Sequence, residues 1–169
     1  MALTIILSLA GCALLFLCIW GVTVTMPTKL LAKNFPEDVQ KRLQPRLEKL
    51  DLQPMSFRRI LGWVILIFFC VAYIALFVIG GVEGLRKGYS FRQLFLRFLI
   101  IGGLIKAFDI GALDYVLLTK THFFQHYFPE TEGCDGWKDF GYNRKQQIRQ
   151  IVMTIIGSAV TALIFTALR

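Results

Sequence analysis

Lys106, Asp109 and Asp114 lie inside an apolar run, where charge is least expected. Between Phe98 and Leu118 twelve residues are Leu, Ile, Phe or Val. A charge at a bilayer centre costs roughly 2.5–3.5 kcal/mol on insertion scales, so three cost on the order of 8–10 kcal/mol. The apolar residues, at about −0.3 to −0.6 kcal/mol each, offset about half of that. Such a helix inserts only with the help of neighbours, and the other spans would pack around it. Ionisable groups inside a membrane are candidates for an ion, proton or polar-ligand site. The candidate set is Lys106, Asp109 and Asp114, with Tyr115 beside the last. The competing reading is a structural ion pair that fixes helix register.

At about 100° per residue Lys106 and Asp109 stand about 60° apart, one turn from each other, and can pair. Asp114 falls about 80° to the other side of Lys106 and about 12 Å further along. Gly102 and Gly103 share that arc, so a second helix or a cavity can approach it closely. Ile101, Leu104, Phe108 and Ala112 take the far side, towards lipid or an apolar neighbour.

A second group follows. His122 and His126 stand at i, i+4, a spacing that can hold a metal if the helix runs on. Glu130, Glu132, Cys134 and Asp135 could add ligands or acid/base groups. The set contains no HExxH and no second cysteine. Phe123, Phe124, Tyr127, Phe128 and Trp137 surround it, as aromatics do at a headgroup interface.

These groups need elements to hold them, and composition says which kind. Of 169 residues, 56% are hydrophobic and 18% charged, and the mean hydropathy is +0.59. That is a membrane composition. The net charge of +8 sits in connections between apolar runs, where it meets anionic headgroups and orients the chain. No nucleic-acid motif accompanies it, and nucleic acid is not an expected partner. Cys12, Cys18 and Cys70 lie in apolar runs, Cys134 in a loop, and nothing resembles a disulfide framework.

The expected fold is all-α, a single domain of four transmembrane helices in an antiparallel bundle, with spans at about 2–26, 60–82, 93–118 and 150–168. Residues 1–28 carry no charge. Leu9-Ala10-Gly11-Cys12 has the look of a lipoprotein cleavage box. It lacks a basic segment ahead of it, and the apolar run continues past the cysteine, so it reads as span one. Between spans one and two, Pro36-Glu37-Asp38 has helix-start chemistry. Val39, Leu43, Leu47 and Leu50 recur at helical spacing, which predicts an amphipathic connector lying on the membrane surface. Pro45 should kink or split it. Gly80, Gly84 and Gly88 read as a turn at the membrane edge. Arg92 and Arg97 should snorkel towards water. Gly157, Ser158, Thr161 and Ala162 give span four a small face, with Ser158 and Thr161 as partners for the acids of span three.

Loops 27–59 and 119–149 hold eight and five Lys/Arg, against five in the remaining connection, its flank and the tail. The positive-inside rule puts both loops in the cytoplasm and, with four spans, both termini outside. Asp114, Lys120, His122 and His126 would then follow Lys106 towards cytoplasmic water. The compact size and lack of a targeting segment point to a bacterial plasma membrane.

Three function classes follow. The first is a subunit or partner protein of a membrane complex with a buried polar site on helix 3, which needs only the basic loops and the small helix faces. The second is a small oligomeric ion- or proton-coupled transporter or channel using Lys106, Asp109 and Asp114, although no internal repeat or broken helix pair is present. The third is a membrane-embedded enzyme on an amphipathic substrate at the cytoplasmic face. The expected partners are the bilayer and a homo-oligomer or another membrane protein. No cofactor or catalytic residue is assigned.

Overall fold

A computed structural model of the chain describes residues 1–25, 32–52 and 54–168. Met26, Lys29 and Arg169, which entered the span and charge expectations, lie outside the described residues. The protein is all-α and multi-pass. Among the described residues six α-helices follow one another: α1 Ala2–Thr25, α2 Glu37–Asp51, α3 Phe57–Arg86, α4 Phe91–Phe108, α5 Phe123–Tyr127 and α6 Arg144–Ala167. A π-helix, Asp109–Lys120, continues directly from α4, and two short 3-10 segments, Pro129–Thr131 and Asp135–Lys138, follow α5.

Among the described residues three helices, α1, α3 and α6, are long and apolar enough to cross a membrane. This corrects the expectation of four spans. The expected span at 93–118 is not one helix: the α-geometry of α4 stops at Phe108 and the wider π-register takes over. The α-helical part carries Arg92, Arg97 and Lys106 in 18 residues. It is an interior element, with Leu94, Phe98 and Ile101 fully buried, so protein rather than lipid covers its apolar stripe.

Two compact units divide the chain. The first comprises Met1–Leu15, Phe69–Asp109 and the chain from Lys145 onward. Its core is Leu7, Leu76, Leu94, Phe98, Ile101, Ile105 and Ala162. Phe77 and Phe165 each place a ring 5.8 Å from that of Phe98. Outward-facing side chains are apolar as well, including Ile74 and Val78 of α3 and Ile155, Val160 and Leu163 of α6, the pattern of a protein surrounded by lipid. Polar side chains within the spans bond back to their own helix: Ser8 to the Thr4 carbonyl at 2.8 Å and Ser158 to that of Thr154 at 2.7 Å. A bilayer offers them no water, so the i−4 carbonyl is the available acceptor.

The glycines expected to turn at the membrane edge mostly pack instead. α3 continues through Gly80, Gly81 and Gly84, and only Gly88, at φ 68°, sits in the turn. The backbone N–H of Gly88 bonds to the Leu85 carbonyl and that of Tyr89 to Gly84, a Schellman end. Ser90 then opens α4, its backbone N–H donating to the Gln93 side chain at 2.8 Å. A Cβ on Gly81 would collide with the Phe165 ring. Gly81→Ala should therefore lower stability by about 1–3 kcal/mol, the usual cost of overpacking, as read by thermal unfolding in detergent. Pairing it with Phe165→Leu should recover most of the loss.

Arg97 does not snorkel. Its side chain is 3% exposed and pairs with Glu83 of α3. Its Nη1 also donates to the Gly80 carbonyl at 2.8 Å, and the guanidinium lies 4.7 Å from the Tyr89 ring centroid. Arg97 falls on the same helical stripe as Leu94, Phe98 and Ile101, which carries it inward.

The second unit comprises Phe16–Phe68 and Ile110–Arg144. Here the amphipathic α2 has a protein partner, which corrects the expected surface-lying connector. Val39, Leu43 and Leu47 pack with Phe35, Phe124, Phe128, Cys134 and Trp137 in one core. The Phe35 ring contacts those of Phe124 at 5.0 Å and Trp137 at 5.1 Å, edge on. Asp38 accepts the Gly136 N–H at 2.9 Å, and Tyr142 donates its hydroxyl to the Asn34 carbonyl. The two long connections are thus halves of a single core. Pro45 leaves α2 unbroken; it is exposed, so the carbonyl it frees can be hydrated.

Candidate functional site

Local spacing brings Lys106 and Asp109 together, as i, i+3 pairing requires. Lys106 Nζ lies 2.6 Å from Asp109 Oδ2 and also donates to Gln150 Oε1 at the start of α6. The Lys106 side chain is 12% exposed. Asp109 is where the backbone changes register, and its N–H reaches both the Ile105 and the Lys106 carbonyls. π-Helical turns occur often at functional sites.

This polar corner closes one part of a cleft of about 730 Å³ in the first unit. The walls are Phe69, Tyr73, Ile74, Phe77 and Val78 of α3, Gly102 and Ile105 of α4, and Met153, Thr154, Gly157, Ser158, Thr161 and Phe165 of α6, with Leu15 of α1. Two glycines shape it. Gly102 lets α6 come close, since a Cβ there would lie 2.8 Å from Thr154 Cγ2. Gly157 faces open space, with no atom within 4 Å of a Cβ built on it.

The chemistry of the corner follows from donor counts. An ammonium has three N–H donors. Among the described residues two are engaged, by Asp109 and Gln150. One N–H of Lys106, the Oδ1 of Asp109 and the Gln150 amide N–H₂ remain available. The charges of Lys106 and Asp109 cancel. The corner therefore suits a polar group of no net charge that both accepts and donates, such as a hydroxyl or a zwitterion, and the rest of the cleft suits hydrocarbon.

Asp114 and Tyr115 belong to the second unit and take other partners. The angle expected between Lys106 and Asp114 assumed α-helical pitch, which ends before either acid. Asp114 Oδ2 accepts from Asn143 Nδ2 at 2.9 Å. The Tyr115 ring lies 5.4 Å from Phe140, and Lys120 Nζ is 5.1 Å from its centroid. That i, i+5 contact is the spacing of the π-register. Ser158 and Thr161, expected to serve the acids of helix 3, bond instead to the carbonyls of Thr154 and Gly157.

His122 precedes the five-residue α5 and His126 lies within it; both are exposed. Among the described residues no group of three or more His, Cys, Asp or Glu is placed to hold a metal ion. Glu130 pairs with Arg46 at 3.0 Å and Asp135 with Lys138 at 3.5 Å. Cys134 is buried, and burial, helped by Asp38, pushes its thiol above the usual value. A thiol held in that form is a poor nucleophile.

Sequence reasoning missed Gln150, Asn143 and the Arg97–Glu83 pair. Gln150 carried a signal: it is the first residue of the uncharged run 150–168, where a polar side chain at depth needs a partner. No protein-family model, curated protein or solved structure matches the chain.

Proposed function

We propose that this multi-pass membrane protein binds a lipid-like amphiphile in the cleft of its first unit, as an accessory or carrier component of a membrane assembly. The cleft carries the reading. Its volume falls within the roughly 300–1,000 Å³ of small-molecule sites, and a mostly apolar wall with a few convergent polar groups is their usual lining. The hydrocarbon part of the ligand lies against Phe69, Tyr73, Phe77 and Phe165, and its polar head meets Lys106, Asp109 and Gln150. Ion conduction is less well supported, because Lys106 and Asp109 neutralise each other and leave no net charge to attract an ion. Catalysis is less well supported too, because the cleft wall contains no histidine or cysteine. The basic loops of the second unit favour a cytoplasmic placement for it by the positive-inside rule.

Native mass spectrometry of protein extracted in mild detergent tests this. Wild-type protein should retain one amphiphile per chain. Lys106→Met should lose it, because a hydrogen bond to a charged group contributes about 1.5–3 kcal/mol, a factor of about 10–100 in affinity. Wild-type protein that carries no amphiphile, and takes up none from added lipid, would end the proposal.

A further inference from the structure

α2 has one face in the core of the second unit and a second, cationic face on which Arg42 and Lys49 are exposed. Arg42, Arg46 and Lys49 stand at i, i+4 and i+7 on that second face, one above another. With Pro45, Leu50 and Glu130 they line a hollow of about 470 Å³. The three cations differ in how they are held. Arg46 is fixed: its Nη1 donates to Glu130 Oε1 and Oε2 at 3.0 and 3.1 Å and to the Tyr127 carbonyl at 3.2 Å. Its guanidinium carbon lies 5.4 Å from the Phe128 ring centroid. Among the described residues no group engages its Nη2 or Nε. Arg42 and Lys49 have no hydrogen-bond or ion-pair partner among the described residues.

We infer that this hollow binds a phosphomonoester dianion, held between Arg42, the pre-set guanidinium of Arg46 and Lys49. Glu130 neutralises one of the three cations and leaves two positive charges. A phosphomonoester carries about −1.5 to −2 near neutral pH, so the charges match. A planar guanidinium already locked in place presents two parallel N–H groups to phosphate oxygens. Arg42 and Lys49 each stand one turn from Arg46, so three cationic side chains converge on the hollow from one helix face. The inference concerns the second unit and does not depend on the amphiphile cleft.

The phosphomonoester could belong to a lipid headgroup or to a soluble ester, and the test separates them. Full-length protein in neutral detergent is titrated with dioctanoyl phosphatidate, with dioctanoylglycerol and with glycerol 3-phosphate, read by calorimetry. Phosphatidate should bind and dioctanoylglycerol should bind at least about 10-fold more weakly. Arg42→Gln with Lys49→Gln should weaken phosphatidate binding about 10-fold or more, whereas Lys138→Gln with Lys145→Gln, an equal charge change elsewhere, should not. Both outcomes for glycerol 3-phosphate support the site: binding that the first pair weakens identifies a free-phosphate source, and no binding alongside tight phosphatidate identifies a lipid source. Equal binding by wild type and by the Arg42/Lys49 variant would overturn the inference. So would equal weakening by both pairs, or no binding of either phosphate ester.

Discussion

Arg97→Ala should be the most damaging single substitution in the first unit, lowering stability by about 3 kcal/mol. Removing one partner of a buried ion pair typically costs about 3–5 kcal/mol, because the other charge loses its compensation. Here the lower end applies, since the Glu83 side chain is 22% exposed and keeps Lys87 as a second partner. The Gly80 carbonyl also loses its donor, and the Tyr89 ring its cation. For a chain of this size about 3 kcal/mol corresponds to roughly 6–12 °C in melting temperature. Arg97→Lys should not rescue, because an ammonium cannot serve Glu83 and the Gly80 carbonyl with one planar fork. The double variant Arg97→Met with Glu83→Gln should recover much of the loss, since replacing both charges of a buried pair is often neutral. A drop below about 1 kcal/mol for the single variant would mean that the pair is solvated in the folded protein.

Gly157→Leu should abolish amphiphile binding without harming the fold. Gly157 lines the cleft, and a side chain there meets open space. Leucine would fill the room that hydrocarbon is proposed to occupy. It is also a better helix former than glycine by roughly 0.8 kcal/mol, so the melting temperature should hold or rise while the retained ligand disappears. Gly103→Leu is the matched control: its side chain also meets no atom within 4 Å, but Gly103 is outside the cleft lining. It should keep the ligand. Loss of ligand in both variants would place the binding site elsewhere in α4 and α6. Retention in both would show that this cleft is not the site.

Much of this architecture was legible in the sequence, for reasons that also set the limits. α1, α3 and α6 announce themselves as uncharged runs of membrane length, and a bilayer permits such runs few alternatives to a helix. The Lys106–Asp109 pair was legible because it is local. Gln150, which joins it from 44 residues away, was not, because nothing local encodes which helix face meets another. Helical periodicity failed at Asp109 for a different reason. It assumes a constant rotation per residue, and the change to π-register moves every later side chain off the expected bearing. In α2 the stripe of Val39, Leu43 and Leu47 was read correctly and its partner was not. An apolar face specifies burial, and a bilayer surface and an aromatic core satisfy it equally well. Arg97 was assigned to water by residue type, although its spacing from Leu94 and Phe98 pointed inward.

The single core built from two distant connections has a consequence for synthesis. Asp38 and Gly136, which close that core, are 98 residues apart. At roughly 5–20 residues per second, ribosomes need about 5–20 s to make that interval. For that time the apolar face of α2 has emerged and its aromatic partners have not. Resting on the nearby headgroups would keep the nascent segment from aggregating until Phe124, Phe128 and Trp137 arrive. The interfacial posture suggested by the pattern of α2 would then describe the unfinished chain, and in the finished protein the same apolar stripe is buried against Phe124, Phe128 and Trp137.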